Sequence, residues 1–228
     1  MAADALISCL CVTRNRVAML RRAVACFLAQ TYEARELVIL YESDDPATRA
    51  FVLTLNDSRI LSLEVGASPK LALGSLRNLA VRACRGAYIA QWDDDDWYAP
   101  IRLEAQMHAM QSTGRTGCVL TRWVLYDTVT RTAMISGERT WEGSLVARRD
   151  VVPAYAEISK QEDTPVIERM LQANQLAGLN RPDLYVYVYH GENTWERAHW
   201  DTVIAPFAQA LSPEETRRVE LLLQIQGS

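Results

Sequence analysis

Residues 87–97 read Ala-Tyr-Ile-Ala-Gln-Trp-Asp-Asp-Asp-Asp-Trp, an apolar run that stops at four adjacent aspartates, Asp93 to Asp96. Neighbouring carboxylates repel one another, so a fold retains them only where positive charge offsets theirs. The run before them, flanked by Trp92 and Trp97, reads as a buried strand that ends in an acidic loop. Open α/β sheets take their ligands at the carboxyl ends of strands. Hard divalent cations take oxygen ligands, often one or two carboxylates plus phosphates. The stretch therefore points to a metal-bridged phosphate site at a strand end. In an extended chain alternate side chains share a face. Asp93 and Asp95 are then expected together, with Asp94 and Asp96 opposite, held by backbone amides or an arginine. A solvated acidic turn or a purely stabilising calcium loop is the alternative.

Working back from that strand, residues 6–12, 36–41 and 59–65 are apolar enough for buried strands. Helical spacing is expected over 16–30, 46–55 and 71–84, with Leu20, Val24, Phe27 and Leu28 on one face of the first helix. This alternation predicts a parallel sheet covered by helices. Working forward, a helix is expected from Pro100 to about Gln111. Residues 117–126 and 132–135 read as an antiparallel pair around a turn at 127–131. Residues 141–149 look strand-like, 164–174 helical, and 184–190 alternate as a strand. Ser212, Pro213 and Glu215 form a capping box that opens a last helix to about Gln226.

The chain has 228 residues, 49% of them hydrophobic, and a formal charge of −4. That length suits one sizeable domain. No basic footprint for nucleic acid is present. The five cysteines form no CxxC pair, so buried reduced thiols are expected rather than zinc. The N-terminus lacks a basic region followed by a long apolar run, and no segment is apolar enough to span a bilayer. A soluble cytoplasmic protein is expected, with peripheral membrane contact left open.

The ordered set TRNR (13–16), QTYEARELVIL (30–40), GSLRNLAVRACRGAYIAQWDDDDW (74–97), QED (161–163) and HGENTW (190–195) resembles glycosyltransferase family 2. The resemblance covers roughly residues 6–200. It implies the GT-A fold, a Rossmann-like, mostly parallel mixed sheet flanked by helices in a single domain. It also implies inverting transfer of a sugar from a nucleotide diphosphate donor to a hydroxyl acceptor, with Mn²⁺ or Mg²⁺. Residues 1–97 would form the nucleotide-sugar half, 98–200 the acceptor half and 201–228 a helical tail. A nucleotidyl- or phosphotransferase on the same aspartates, and a non-catalytic sugar-nucleotide-binding module, are the alternatives.

By position, the resemblance makes Asp95 a metal ligand and gives Asp93 the ribose or a supporting role, with Asp94 also on the donor side. Thr13 and Arg14 match the first nucleotide-contacting loop, where a plain turn with Asn15 capping the next helix is the other reading. Paired aspartates usually follow the second strand, whereas this chain has Tyr41-Glu42. Glu42 either accepts the N3–H of uracil or is simply exposed. Arg77 either reaches the donor or pairs with a spare aspartate. Asp163 is implied as general base and Glu162 as its helper, unless both only cap a helix. His190 is implied at the metal or the diphosphate, or else it packs on Tyr189. Trp141, Glu142 and Gly143 lie where the family forms its acceptor loop. His108 and His199 are given no chemistry.

Overall fold

A computed structural model describes residues 5–224. The first half alternates strand and helix: β1 (Ile7–Val12), α1 (Val17–Leu28), β2 (Arg35–Glu42), α2 (Pro46–Val52), β3 (Ile60–Val65), α3 (Leu73–Ala83) and β4 (Tyr88–Gln91). Next come β5 (Trp97–Tyr98), α4 (Arg102–Thr113), β6 (Gly117–Leu120), β7 (Val124–Asp127), β8 (Thr132–Ile135) and β9 (Val146–Arg148). The chain then forms α5 (Thr164–Gln172), β10 (Leu176–Leu179), β11 (Tyr185–Tyr189), a helical turn α6 (Arg197–His199), β12 (Gln209–Ala210) and α7 (Pro213–Gln224).

A seven-stranded sheet runs in the order β10-β6-β9-β4-β1-β2-β3, with β9 its antiparallel member. β1 pairs in parallel with both β2 and β4. Parallel neighbours need crossover connections, and α1, α2 and α3 provide them. β2 is buried along its whole length, as expected of a strand covered on both faces. Leu20, Ala23, Val24 and Phe27 of α1 recur at helical spacing and meet Ile7, Cys9, Leu37 and Ile39 on one face. Leu76 and Ala80 of α3 meet Leu10, Val38 and Ile89 on the other. Each fully buried aliphatic side chain of this kind contributes about 1.5–3 kcal/mol.

A second, five-stranded sheet, β12-β8-β7-β11-β5, packs beside the first. The expected strand over 117–126 is in fact two. β6 belongs to the large sheet, and β7 turns back antiparallel onto β8 in the small one. Of residues 141–149 only β9 is a strand, because Glu142–Ser144 form a 3₁₀ turn. Ser212 and Glu215 make the expected capping box, with Ser212 Oγ donating to Glu215 at 2.7 Å. The expected end of that helix at Gln226 lies outside the described residues. All five cysteines are buried and none is in a disulfide. Among the described residues no helix is long and apolar enough to cross a membrane.

Two features position the site. The strand order reverses at β1, so the carboxyl ends of β1 and β4 flank a switch point, where loops splay and leave a crevice. Gly74, in the first turn of α3, allows the loop before α5 to come close. A Cβ there would sit 1.7 Å from the Ala156 carbonyl oxygen. Gly74 N–H donates to Ile158 O at 3.0 Å, which brings Glu162 beside Arg77 of the same helix.

Candidate functional site

The acidic run does not stay extended, so the expected alternation of its faces fails. The chain turns at Asp94–Asp95, and each carboxylate finds its own partners. Asp93 accepts from Arg77 Nη2 at 2.8 Å. Asp94 accepts from Thr13 Oγ1, at the end of β1, at 2.6 Å. Asp95 lies 3.0 Å from Arg16 Nη1 and 3.2 Å from His190 Nε2. Asp96, on the small-sheet side, accepts from the Tyr185 hydroxyl and from Val188 N–H. Its expected backbone-amide partner is thus present.

The electrostatics follow from burial and these partners. Burial, reinforced by the neighbouring Asp95, pushes the Asp94 carboxyl up to about 7. Burial pushes Asp96 well above the carboxylate range too. For Asp95 burial acts in the same direction, but the His190 hydrogen bond and the Arg16 charge outweigh it and hold its pKa low. Asp95 is thus the carboxylate of this trio favoured as an anion.

A cavity of about 410 Å³ opens over the run. Its lining joins Asp93–Asp96, Arg77, Glu162 and Asp163 to Trp141, Glu142 and Gly143. Arg77 is buried and bridges Asp93 and Glu162, both at 2.8 Å, so it spans the donor and acceptor loops. Burial raises the Glu162 pKa despite Arg77. Asp163 occupies the cap position of α5, but its side chain makes no capping bond. It is instead held loosely, 3.4 Å from Gln91 Nε2, and the same nitrogen is 3.5 Å from Asp93. The acceptor-side wall is aromatic: Trp123 stacks on Tyr185 at 4.3 Å and on Trp141 at 4.5 Å.

Thr13, Arg14, Glu42 and His190 do not line this cavity; they sit around the carboxyl ends of β1, β2 and β11. Glu42 is 1% exposed, so the exposed reading is wrong. Lys70 pairs with it, Arg14 Nε lies 3.5 Å away, and its Oε1 has no partner. Asn15 does not cap α1; it has φ 54°, its N–H donates to Asp45, and Arg16 takes the cap position. Sequence reasoning passed over Arg16, Gln91, Trp123, Tyr185, Trp195 and His199, all of which line the cavity. Arg16 and Trp195 stood inside quoted motifs, while Gln91 read as ordinary strand.

Among the described residues no three His, Cys, Asp or Glu side chains gather as a metal centre. Asp95 and His190 nevertheless offer an oxygen and an imidazole nitrogen 3.2 Å apart. That pair fits Mg²⁺ or Mn²⁺ when waters or a diphosphate complete the shell.

Comparison with solved structures gives the same architecture. Staphylococcus aureus TarS residues 1–349 with UDP-GlcNAc matches with a TM-score of 0.67 at 14% identity, over 97% of this chain and 66% of that one. TarS with UDP matches with a TM-score of 0.65 at 14% identity, over 97% of this chain and 65% of that one. At such identity the likeness shows the GT-A fold. Two Escherichia coli proteins, WfaP and WfgD, are named UDP-Glc:alpha-D-GlcNAc-diphosphoundecaprenol beta-1,3-glucosyltransferases. WfaP is 33% identical over 37% of this chain and 33% of its own length. WfgD is 33% identical over 47% of this chain and 42% of its own length. The matched regions therefore span under half of those relatives. The model for "Glycosyl transferase family 2" matches residues 8–164, most of the chain and the strands β1 and β4 that end at the acidic run, so this protein belongs to that family.

Proposed function

We propose that this chain is an inverting glycosyltransferase that moves a hexose from a UDP-linked donor to a saccharide hydroxyl in surface polysaccharide or glycoconjugate assembly. The observation that carries the reading is the Asp93–Arg77–Glu162 bridge. It sets the strand-end aspartates and Asp163 on the walls of one cavity. The names of WfaP and WfgD support a UDP-glucose donor and a saccharide acceptor. The UDP and UDP-GlcNAc held by TarS support a uridine nucleotide.

The chain's own groups divide the work. Asp163 carries no capping bond, so its carboxylate is available to take the acceptor hydroxyl proton. The acceptor oxygen then attacks the anomeric carbon from the face opposite the departing nucleoside diphosphate, which inverts that centre. Glu162 is engaged by Arg77 and keeps the loop in place rather than serving as the base. Arg77 in turn fixes Asp93 for the donor. Thr13 and Asp94 hold the two strand ends together beneath it. Glu42, with its unpartnered Oε1, supplies the acceptor atom for the uracil N3–H once Lys70 moves aside. Arg14 lies beside it on the same rim. Asp95 and His190 would hold Mg²⁺ or Mn²⁺. When bound, the ion neutralises the leaving diphosphate.

The test is product analysis with UDP-glucose, saccharide acceptors and Mn²⁺. UDP release coupled to glycoside formation is expected. Pyrophosphate release would indicate nucleotidyl transfer, and binding without turnover a non-catalytic module.

A further inference from the structure

Asp95 Oδ2 is shared by two groups from distant segments, Arg16 Nη1 at 3.0 Å and His190 Nε2 at 3.2 Å. The same Arg16 nitrogen lies 3.5 Å from Asp94 Oδ1, and Arg16 Nη2 donates to Glu192 O in the loop after β11. One guanidinium therefore gathers two carboxylates of the acidic run and a carbonyl from far along the chain. Its position is otherwise unfavourable. Arg16 occupies the cap position of α1 without a capping bond, and the positive end of a helix dipole repels a cation. The acidic run is what holds it there.

The two arginines of the site differ in freedom. The Arg77 side chain is 7% exposed and fixed between Asp93 and Glu162. The Arg16 side chain is 26% exposed and lines the cavity, so it can turn into the cavity without unpacking the core. A divalent cation held by Asp95 and His190 would share one carboxylate oxygen with the Arg16 guanidinium. Like charges that close repel strongly in a partly buried site. His190 can stay, because a neutral imidazole is a metal ligand. Arg16 cannot lose its charge, so it has to move. Its planar fork suits a phosphate group, which it can pair with through two oxygens.

We propose that Arg16 is a displaceable counter-cation. It neutralises Asp95 until the donor and its divalent cation bind, and then turns its guanidinium to the donor diphosphate. Arg16 thereby makes the acidic run a poor site for the ion alone and a good site for the ion with a nucleoside diphosphate. The inference rests on the donor reading proposed above and adds the residue that couples the ion to the nucleotide.

The experiment measures two affinities by calorimetry on the full chain: Mn²⁺ alone, and UDP at saturating Mn²⁺. The proteins are the unaltered chain, Arg16→Gln and Arg16→Lys, each checked for an intact fold by its melting curve. Arg16→Gln should bind Mn²⁺ alone about tenfold more tightly, because the competing charge is gone. The same variant should bind UDP with Mn²⁺ about tenfold or more weakly, because charge-assisted contacts to phosphate are lost. A merely structural role would not move the two affinities in opposite directions. Arg16→Lys keeps the charge and should bring both back toward the unaltered values. Uridine, which has no phosphate, should bind Arg16→Gln and the unaltered chain alike. Arg16→Met is equally neutral and serves in place of Arg16→Gln if the glutamine variant does not fold. Unchanged or weaker Mn²⁺ binding by the neutral variant overturns the proposal, as does a loss for UDP that uridine matches. Absence of Mn²⁺-dependent UDP binding in the unaltered chain would count against the donor reading instead. The Mn²⁺-alone comparison would then still decide the competition at Asp95: a gain in the neutral variant supports it, and no gain overturns it.

Discussion

Thr13 and Asp94 are joined across the switch point of the large sheet, hydroxyl to carboxylate, at 2.6 Å. The bond links the carboxyl end of β1 to the turn after β4, so the crevice is closed from below by one buried contact. Thr13→Val removes the donor and keeps the shape. Leaving a buried carboxylate short of a partner costs about 1–3 kcal/mol. Chemical denaturation should report a loss in that range; a change within error would mean that Arg16 alone satisfies Asp94.

The same carboxylate sets a pH dependence. Its folded pKa of about 7 stands above the ordinary 3.8, so the folded protein holds a proton that the unfolded chain releases. This contribution to stability is full below about 3.8, falls as pH rises from there through about 7, and is lost above that window. Burial raises Glu162 and Glu142 also, which adds to the same slope. In melting curves without nucleotide, Asp94→Asn should flatten the decline. A variant that melts with the unaltered slope would place the titration elsewhere.

Asp163 separates chemistry from binding. Asp163→Asn should lower turnover by at least about 100-fold, within the range for a lost general base. Donor affinity by calorimetry should stay near normal. Because Asp163 makes no side-chain cap in the first place, the melting temperature should hardly move. Retained turnover in this variant, with loss in Glu162→Gln, would reverse the two roles.

Asp95→Asn should abolish most of the Mn²⁺-dependent gain in UDP affinity while leaving the fold intact. Unchanged metal-dependent binding would remove Asp95 from the metal site. Glu42→Gln should weaken UDP more than other nucleoside diphosphates; equal losses for every base would assign Glu42 to structure alone.

Arg77 ties two carboxylates together, so its loss is costly. Arg77→Met strands Glu162 in the interior and Asp93 at the cavity wall. Breaking a buried pair typically costs about 3–5 kcal/mol, and the lower end applies here because Asp93 is partly solvated. Urea midpoints would measure it.

The front half of the fold was legible because its inner strands, β1, β2 and β4, are rich in buried apolar residues, and the edge strand β3 alternates apolar with exposed polar residues. β1, β2, β3 and β4 fall within a residue or two of expectation. The stretch 117–126 was not legible in the same way. Thr121-Arg122-Trp123 is where the chain leaves one sheet for the other, without a proline or glycine to mark the break. Pairing decides that break: Thr121 N–H goes to Leu179 O in the large sheet, and Trp123 N–H to Ser136 Oγ beside the small one. The site followed a similar division. Residue type at a strand end marked Asp93 and Asp95 as candidates, and the family resemblance marked Glu162, Asp163 and His190. The partners came from distant segments, so the roles of Arg16 and Gln91, and the burial of Glu42, were not readable from local pattern.

The four aspartates are identical letters with separate addresses. Asp94 is tied to the large sheet through Thr13, and Asp96 to the small sheet through Tyr185 and Val188. The run therefore works as a spacer of fixed count. Loss of one codon within it would leave a tract that still looks acidic, yet every later carboxylate would slip to its neighbour's partner. Such a deletion is conservative in composition and severe in consequence, whereas exchanging the order of the codons changes nothing at all.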